Sequence, residues 1–456
     1  MCLLAWLLVF GPAQAQTLDQ PSSKHSKSPL IIKGYDLFSR VPGKRDEAAA
    51  HFKKLGDKRA IPILIQASRF SRRQSEAIFD ALKSIAGEDP GNYWHNWMLW
   101  QQAHSEISPP KGFIEFKADL YATIDENFKL FLRPGMAHEI RIEEIVWGGV
   151  IKDGIPALTN PKLITARQAE YITPDELVFG VEINGDARAY PLRLLDWHEM
   201  FNDVIGGVPV SLAYCTLCGS GILFETAVGA RKVPFVFGSS GFLYRSNKLM
   251  YDTETNSLWN QFTGKPVVGK LVGSDIELKT RPVVIANWKD WLRDHPDTKV
   301  LSLNTGFRRD YSPGKPYGSY FSSPKLMFPA LVDESKLKAK AYVFALRSSG
   351  HAKAWPLEYF KQAPVINDTA GIIRLTLIGD FKTRTVRAYR TAGQSFSKGA
   401  KPGTLMVNGR TWNVTEAAIV GPDGQQLTRL PGHIAYWFAW SGYLGTSGEV
   451  AARPRT

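Results

Sequence analysis

Long hydrophobic runs are missing from this chain. Its one run near the N-terminus, Leu3 to Phe10, is far shorter than the roughly 20 residues of a membrane-spanning helix, and no later segment supplies one. Nucleotide-binding patterns of the GxGxxG and GxxxxGK[ST] kinds are also absent, as are helix-turn-helix, zinc-finger and RNA-binding signatures. We therefore expect no transmembrane span, no bound nucleotide and no nucleic-acid partner.

Acidic residues are in deficit. The sequence has 43 Asp and Glu against 56 Lys and Arg, which gives a formal charge of +13. A basic surface favours contact with anionic partners. For an exported protein, which the N-terminal sequence described next predicts, the expected partner is an anionic component of the cell envelope or an unidentified small molecule.

The N-terminus carries the pattern of a secretory signal. The apolar run ends before Ala13-Gln14-Ala15, which fits a small-residue cleavage site. We predict a signal peptide over residues 1–15, cut near Ala15, and a periplasmic or extracellular product. Residues 16–33 are polar, Ser-rich and basic, and predict a flexible leader.

Residues 34–105 predict a small helical segment. Apolar residues recur at helical spacing in "RDEAAAHFKKLGDKRAIPILIQASRF" and "RQSEAIFDALKSIAGED". Short paired helices of this kind resemble a HEAT-type repeat. A single unit cannot bury its apolar face, so it should pack against the next segment of the chain.

After Pro109-Pro110 the composition changes to short runs rich in Val, Ile, Tyr, Phe and Trp, which predict many strands. Residues 178–206 align without a gap with residues 343–371. The identical residues are Val, Phe, Gly, Ala, Ala, Pro, Leu, Asn, Asp and Gly. We predict an α+β fold with a first copy over residues 125–330 and a degenerate second copy over residues 331–456.

The two copies differ where chemistry is expected. The first copy has a Cys-x-x-Cys pair, Cys215 and Cys218, and Cys2 leaves with the signal peptide. At the corresponding positions of the second copy stand Asp380 and Thr383. His198 and Glu199 are likewise replaced, by Ala363 and Pro364. Residues shared by both copies serve the fold, whereas those restricted to the first copy are candidates for function.

A Cys-x-x-Cys pair permits three interpretations, which the sequence leaves open. It forms a structural disulfide, a redox dithiol, or half of a soft-metal site for copper or zinc. His198 is the predicted third ligand or proton carrier. Since metal–ligand bonds are about 2.0–2.3 Å, a shared metal places its ring within about 4 Å of a cysteine sulfur.

Further residues of the first copy are candidates for surrounding the site. They are Glu199, Tyr244, Arg245, Met250 and Asp252. Met250 matters only for copper, which takes thioether ligands. The alternative is that the block from 237 to 264 is a strand and hairpin with ordinary polar residues.

Several more specific motifs are not matched by this sequence. Gly219 stands where c-type haem attachment needs His, and Asn202 stands where a zinc protease needs its second His. A thioredoxin-like site opens a helix after its first Cys, whereas Gly219-Ser220-Gly221 leads into the strand-like "ILFE". We therefore expect no c-type haem, and no catalytic residue is assigned.

Several motifs in fixed order resemble the DUF3179 family, which is named for a domain of unknown function. They are "DGIPAL", "ARAYPLRLLDWHEMFND", "YCTLCGSGILFE", "SGFLYRSNKLMYD" and "SLWNQFTG". The resemblance covers roughly residues 125–456 and implies an exported or envelope-associated bacterial or archaeal protein. It supplies no catalytic assignment. Two functions remain: a soft-metal or thiol-dependent site, or a noncatalytic envelope-binding module with a structural disulfide.

Overall fold

Short helices form the N-terminal layer. In the computed structural model, the described residues are 28–454 except 71–75, 230, 232, 349 and 445–448. The helices are α1 (Pro29–Asp36), α2 (Lys44–Leu55), α3 (Ile61–Phe70), α4 (Glu76–Ala86), α5 (Trp94–Ala103) and α6 (Phe113–Ala122). α2 packs on α4, and α3 packs on α4 and α5. The predicted helical segment is confirmed, and its HEAT-type pairing stays a prediction.

The first helix begins earlier than the composition predicts. α1 starts at Pro29, inside the stretch assigned to the flexible leader. The side chain of Ser28 accepts a hydrogen bond from the backbone N–H of Leu30, and Pro29 at the first helical position lacks an N–H that would need a partner. These two capping features outweigh the polar composition. The predicted signal peptide and the rest of the leader lie outside the described residues.

The change to strands also comes later than Pro109-Pro110. α6 follows that pair because Phe113, Phe116 and Leu120 recur at helical spacing and are buried. On the same helix the buried Lys117 donates from Nζ to the carbonyls of Ile142 at 2.7 Å and Ile145 at 2.5 Å. α6 thereby holds the first strand, and the helices share one apolar core with the adjoining sheet, as the sequence predicts.

The strands of the first copy form three five-stranded sheets, and short helices lie between some of the strands in the chain. In chain order the elements of this copy are β1 (Ile145–Trp147), β2 (Leu158–Thr159), β3 (Leu163–Thr165), β4 (Leu177–Ile183), β5 (Asp186–Pro191), α7 (Leu192–Leu195), β6 (Met200–Ile205), β7 (Val208–Cys215), β8 (Ser220–Glu225), β9 (Phe237–Tyr244), β10 (Asn247–Asp252), β11 (Leu258–Asn260), β12 (Pro266–Val268), β13 (Thr280–Arg281), β14 (Val284–Asn287), α8 (Trp288–Asp294), β15 (Lys299–Leu301) and α9 (Gly318–Ser322). The strand orders of the three sheets are β14-β4-β5-β15-β3, β13-β8-β7-β6-β2 and β1-β9-β10-β11-β12.

The second copy forms a four-stranded and an eight-stranded sheet. In chain order the elements of this copy are β16 (Tyr342–Ser348), β17 (His351–Pro356), β18 (Val365–Ala370), β19 (Ile373–Asp380), β20 (Thr385–Arg390), β21 (Ser397–Lys398), β22 (Thr404–Val407), β23 (Arg410–Val414), β24 (Ala418–Val420), β25 (Gln426–Leu430), β26 (His433–Tyr436), α10 (Trp437–Leu444) and β27 (Glu449–Val450). The strand orders of the two sheets are β26-β16-β17-β27 and β18-β19-β20-β25-β24-β23-β22-β21. Helices and mixed sheets together make the fold α+β, as predicted.

Strand pairing repeats between the copies. β4 and β5 pair with Val178 opposite Pro191, and β16 and β17 pair with Val343 opposite Pro356. In each copy the next strand in the sheet is antiparallel on one side, β14 or β26, and parallel on the other, β15 or β27. The residues that align in the sequence therefore occupy equivalent positions of equivalent ladders.

An asparagine that recurs in both copies makes the same pair of side chain–backbone hydrogen bonds in each. Asn202 donates from its side chain to the carbonyl of Phe237 at 2.9 Å and accepts from the backbone N–H of Phe237 at 2.9 Å. Asn367 makes the same pair of bonds with Phe396, at 2.8 and 2.9 Å. This equivalence supports a structural role for the repeated Asn.

The repeated hairpins need a glycine at their turn. β6 and β7 pair up to Ile205 opposite Val208, with Gly206 at φ 54°. A Cβ at Gly206 would lie 2.1 Å from the carbonyl oxygen of Ile183, so any other residue clashes as well as being strained.

In the part of the chain that the structure describes, none of the helices combines the length and apolar character needed to cross a membrane.

Candidate functional site

The two cysteines lie at the turn between the antiparallel strands β7 and β8. Cys215 ends β7 opposite Ser220 at the start of β8, and residues 216–218 form one turn of 3-10 helix. Gly219 closes the turn at φ 58°. A Cβ at Gly219 would lie 3.1 Å from the ring of Tyr342, so glycine lets the second copy approach the turn closely.

The structure brings the two sulfur atoms together as free thiols. Cys215 Sγ donates to Cys218 Sγ at 2.8 Å, and the residues are 2% and 0% exposed. Cys218 Sγ is in turn 3.2 Å from two acceptors, the carbonyl of Ser246 and Oδ1 of Asn247. Burial, and next the neighbouring Cys215, raise the pKa of Cys218. Cys218 is therefore held as a neutral thiol.

A buried carboxylate joins this turn to strand β10. Glu199 accepts from the Thr216 hydroxyl at 2.6 Å and from Lys248 Nζ at 3.0 Å. Both members of the ion pair are buried, and Glu199 has a left-handed backbone at φ 53°. Such a conformation costs a non-glycine residue of order 1 kcal/mol and persists only where its surroundings hold it. Glu199 is thus fixed against the middle of the Cys-x-x-Cys turn.

Aromatic residues around α9 cover the turn. The Tyr320 hydroxyl donates to the carbonyl of Leu217 at 2.7 Å. Burial raises the pKa of Tyr317, and the charges of Glu199 and Cys215 add to that rise. The segment from Tyr317 to Tyr320 therefore lies over the turn that carries the buried thiols.

The ring of His198 is hydrogen-bonded to partners other than the thiols. Its Nδ1 lies 2.9 Å from the carbonyl of Pro156, and its Nε2 lies 2.6 Å from the hydroxyl of Tyr311. Burial lowers the pKa of His198 to about 4, which keeps the ring neutral. Both ring nitrogens are engaged, so the structure does not bring His198 to the cysteines as a ligand.

Among the described residues, no group of three or more His, Cys, Asp and Glu side chains is placed to hold a metal ion. The copper or zinc interpretation therefore rests on the two sulfurs alone. Met250 is buried in β10 opposite Ser239 and Trp259, where it contributes to the core.

The other predicted residues have structural roles in the hairpin of β9 and β10. Tyr244 pairs with Asn247 across the hairpin, and Arg245 donates to Glu144 at 2.7 Å. Asp252 accepts from the backbone and hydroxyl of Thr255 at 2.6 and 2.7 Å, and from the indole of Trp259 at 2.9 Å. Tyr244, Arg245 and Asp252 make hairpin and ion-pair contacts, whereas Ser246, Asn247 and Lys248 of the same block contact Cys218 or Glu199.

Sequence reasoning missed three groups beside the turn: Asp196, Lys248 and Tyr317. Burial raises the pKa of Asp196 to about 7, and its carboxyl accepts from the Tyr214 hydroxyl at 3.2 Å. Comparing the copies could have found Asp196, because Lys361 stands at the aligned position. Lys248 and Tyr317 lie outside the aligned stretch and carried no such signal.

Comparisons with known proteins give one match. The sequence model of a family described as a protein of unknown function, DUF3179, matches residues 152–447. No curated protein and no solved structure matches the chain. The match contains both cysteines and all the groups around them.

Proposed function

The chain belongs to the DUF3179 family, and because that family is described only as of unknown function, we propose a role from the chain's own residues. Cys215 and Cys218 form a redox dithiol that cycles between two thiols and a disulfide. The observation that carries this proposal is the 2.8 Å separation of the two sulfurs in a turn where the described residues place no third His, Cys, Asp or Glu side chain to share a metal ion.

The reaction balances as two thiol–disulfide exchanges. The Cys215 thiolate attacks a disulfide R–S–S–R, forms a mixed disulfide and releases one R–S⁻. The thiolate of Cys218 then attacks the Cys215 sulfur and releases the second R–S⁻. The two cysteine protons leave with the released thiolates, so the protein is oxidised by two electrons and the reagent is reduced to two thiols.

The surroundings support one order of attack. Cys218 is the more buried thiol and its sulfur has two oxygen acceptors, which stabilise the protonated form. Cys215 is therefore the attacking residue and Cys218 the resolving one. Because both are covered by the Tyr317–Tyr320 segment, reaction also requires that this segment open.

A structural disulfide in a noncatalytic envelope-binding module is the alternative. Both cysteines belong to the largest apolar core, which is where a stabilising cross-link would sit. The formal charge of +13 suits an anionic envelope component. A disulfide of this kind is expected to have a potential below about −300 mV.

A redox titration of the full chain separates these alternatives. In a Cys2→Ser background only the site cysteines remain, and their alkylation is followed by mass spectrometry in buffers of defined thiol–disulfide ratio. We expect a reversible two-electron transition between about −270 and −120 mV, with the fold retained in both states. The Cys215→Ser variant, which cannot form the bond, is the control.

Two outcomes overturn the redox proposal. A transition below about −300 mV, with the unfolding midpoint collapsing on reduction, favours the structural disulfide. Stoichiometric copper or zinc in protein purified without chelator, lost in Cys215→Ser, favours a metal site. Elemental analysis is therefore run on the same preparations.

We also propose that the protein is exported. The support is the apolar run Leu3 to Phe10 followed by Ala13-Gln14-Ala15. N-terminal sequencing of the protein from a periplasmic or secreted fraction should start near Gln16. Recovery of the intact N-terminus from the cytoplasm alone contradicts export.

A further inference from the structure

A cavity of about 530 Å³ lies where the two copies meet. Its rim residues are exposed, and they include Thr173, Asp175, Pro313 and Gly314. Buried residues of the first copy form its inner wall, Leu192, Asp196 and Tyr214 among them, and Tyr342 and Arg384 come from the second copy. Its size is that of a small-molecule site.

The inner end of the cavity borders the Cys-x-x-Cys turn. Tyr214 immediately precedes Cys215, and the Tyr342 ring lies against Gly219, which follows Cys218. Phe321 on α9 also lines the cavity, while Tyr320 on the same helix covers the turn. The cavity and the Cys-x-x-Cys turn therefore share α9 and the Tyr342 ring as neighbours, and α9 contains part of the segment that must open for the thiols to react.

The charge of the cavity comes from Arg384. Its guanidinium donates to the Tyr342 hydroxyl at 2.6 Å and makes no ion pair with any carboxylate of the described residues. Arg193, the other arginine of the lining, is already neutralised by an ion pair with Glu176. A guanidinium that has no ion-pair partner is a donor suited to a carboxylate.

Asp196 sets the pH at which that charge is available. Burial raises the pKa of Asp196 to about 7, against the opposing effects of the Tyr214 hydroxyl and Arg384, and the nearby Glu199 adds to the rise. Burial raises the pKa of Tyr317, and the charge of this carboxyl adds to the rise. Below about pH 7 the carboxyl group of Asp196 is protonated and can donate a hydrogen bond. Above about pH 7 its carboxylate competes with a bound anion for Arg384 and repels that anion.

We propose that this cavity binds the small-molecule partner of the dithiol, a carboxylate-bearing disulfide or the thiol formed from it, with the carboxylate on Arg384. This inference rests on the proposed redox function for its chemistry, although binding to the cavity can be measured without it. Arg384 is a binding residue and takes no part in the exchange of sulfur.

The binding step is tested with adipate, a dicarboxylate that contains no sulfur. Calorimetry uses the full chain with all three cysteines replaced by serine, at pH 6. We expect saturable 1:1 binding that weakens at least about tenfold in Arg384→Gln and at pH 8. Lys382→Gln removes the same charge from an exposed position of the same turn and should change affinity less than about twofold.

The outcomes of that titration are decisive for the cavity. Absence of saturable binding, or equal weakening in Arg384→Gln and Lys382→Gln, overturns the proposal. Arg384→Lys, which retains the charge, is expected to keep part of the affinity. Matching circular dichroism spectra and unfolding midpoints show that each variant is folded.

Oxidation kinetics link the cavity to the dithiol. The probes are 3,3′-dithiodipropionate, which is anionic, and bis(2-hydroxyethyl) disulfide, which is neutral. In the Cys2→Ser protein at pH 6, Arg384→Gln should slow oxidation by the anionic probe at least about tenfold and oxidation by the neutral probe less than about twofold.

Failure of the two proposals looks different. If neither probe oxidises the cysteines, the redox function is wrong, and the adipate titration still decides the cavity. If both probes react and Arg384→Gln affects them equally, the cavity proposal is wrong and the dithiol function stands.

Discussion

The turn between β7 and β8 and the turn between β19 and β20 have the same backbone form and opposite surroundings. Cys215 pairs with Ser220 across the first turn, and Asp380 pairs with Thr385 across the second. Each turn ends in a left-handed residue, Gly219 at φ 58° and Arg384 at φ 54°. The first turn is buried throughout, whereas the second is exposed or partly exposed.

This difference shows that the hairpin itself does not specify the site. In the second copy Asp380 accepts from the backbone of Lys382 at 2.7 Å, so it serves as an ordinary turn residue. The first copy instead places its turn under α9 and against the Glu199–Lys248 pair. The surroundings convert a common turn into a candidate redox centre.

Moving the cysteines should break the comparison most strongly. In a chain with all three native cysteines replaced by serine, Asp380→Cys with Thr383→Cys creates the pair on the exposed turn. We expect these thiols to react with iodoacetamide at least about a hundredfold faster than Cys215 and Cys218, because accessibility limits a buried thiol. Comparable rates, measured by mass spectrometry, would show that the native pair is open to solvent.

The repeated asparagine tests the shared scaffold. Asn202→Ala removes two buried hydrogen bonds to Phe237 and should lower the free energy of unfolding by about 2–3 kcal/mol. Asn367→Ala removes the same bonds at an exposed position and should cost about 1 kcal/mol. Chemical denaturation measures both. An equal or reversed order contradicts the inference that burial distinguishes the copies.

Neutralising Glu199 should sharpen the difference between the turns. The charge of Glu199 contributes to the raised pKa of Cys218, so Glu199→Gln should shift the pH profile of thiol alkylation to lower pH. We expect a severalfold faster alkylation of Cys218 at pH 7, because a larger fraction of its thiol is then ionised. Glu358→Gln, at an exposed position of the 3-10 helix that follows β17 in the second copy, is the control.

The shape of the pH profile excludes a trivial cause in that experiment. Glu199→Gln also leaves Lys248 without its partner, which can open the site. Opening alone accelerates alkylation at every pH and leaves the midpoint of the profile in place. An unshifted midpoint therefore contradicts an electrostatic role for Glu199.

Buried histidines should give the smallest contrast, because each copy has one. Burial lowers the pKa of His198 to about 4 and that of His433 to about 3. The folded state therefore binds fewer protons than the unfolded state below about pH 6.5, and stability falls as pH falls through that window. Each ring should contribute roughly 1 kcal/mol per pH unit between pH 6 and 5.

Denaturation at pH 5 and pH 7 checks this expectation. His198→Gln and His433→Gln should each reduce the loss of stability on acidification, and the double variant should reduce it by the sum. A slope that neither variant changes means that other groups cause the acid sensitivity.

Local signals were sufficient for much of the fold. Hydrophobic periodicity predicted the helices of residues 34–105, and the internal alignment predicted the ladders that recur at Val178 and Val343. It also separated Asn202 and Asp203, which recur, from the cysteines, which do not. Errors came at boundaries such as Pro29 and Phe113, where capping and a short apolar face outweighed composition.

By itself the sequence determined the α+β class, the repeated strand pairs and the three-residue spacing of the two thiols, because these depend on residues close along the chain or on a recurring pattern. Only the tertiary structure decided that His198 bonds to Pro156 and Tyr311, that Lys248 reaches Glu199, and that Arg384 enters a cavity beside the thiols. Those contacts join segments far apart in the chain, and the packing of one sheet on another, which no local periodicity encodes, sets their distances and burial.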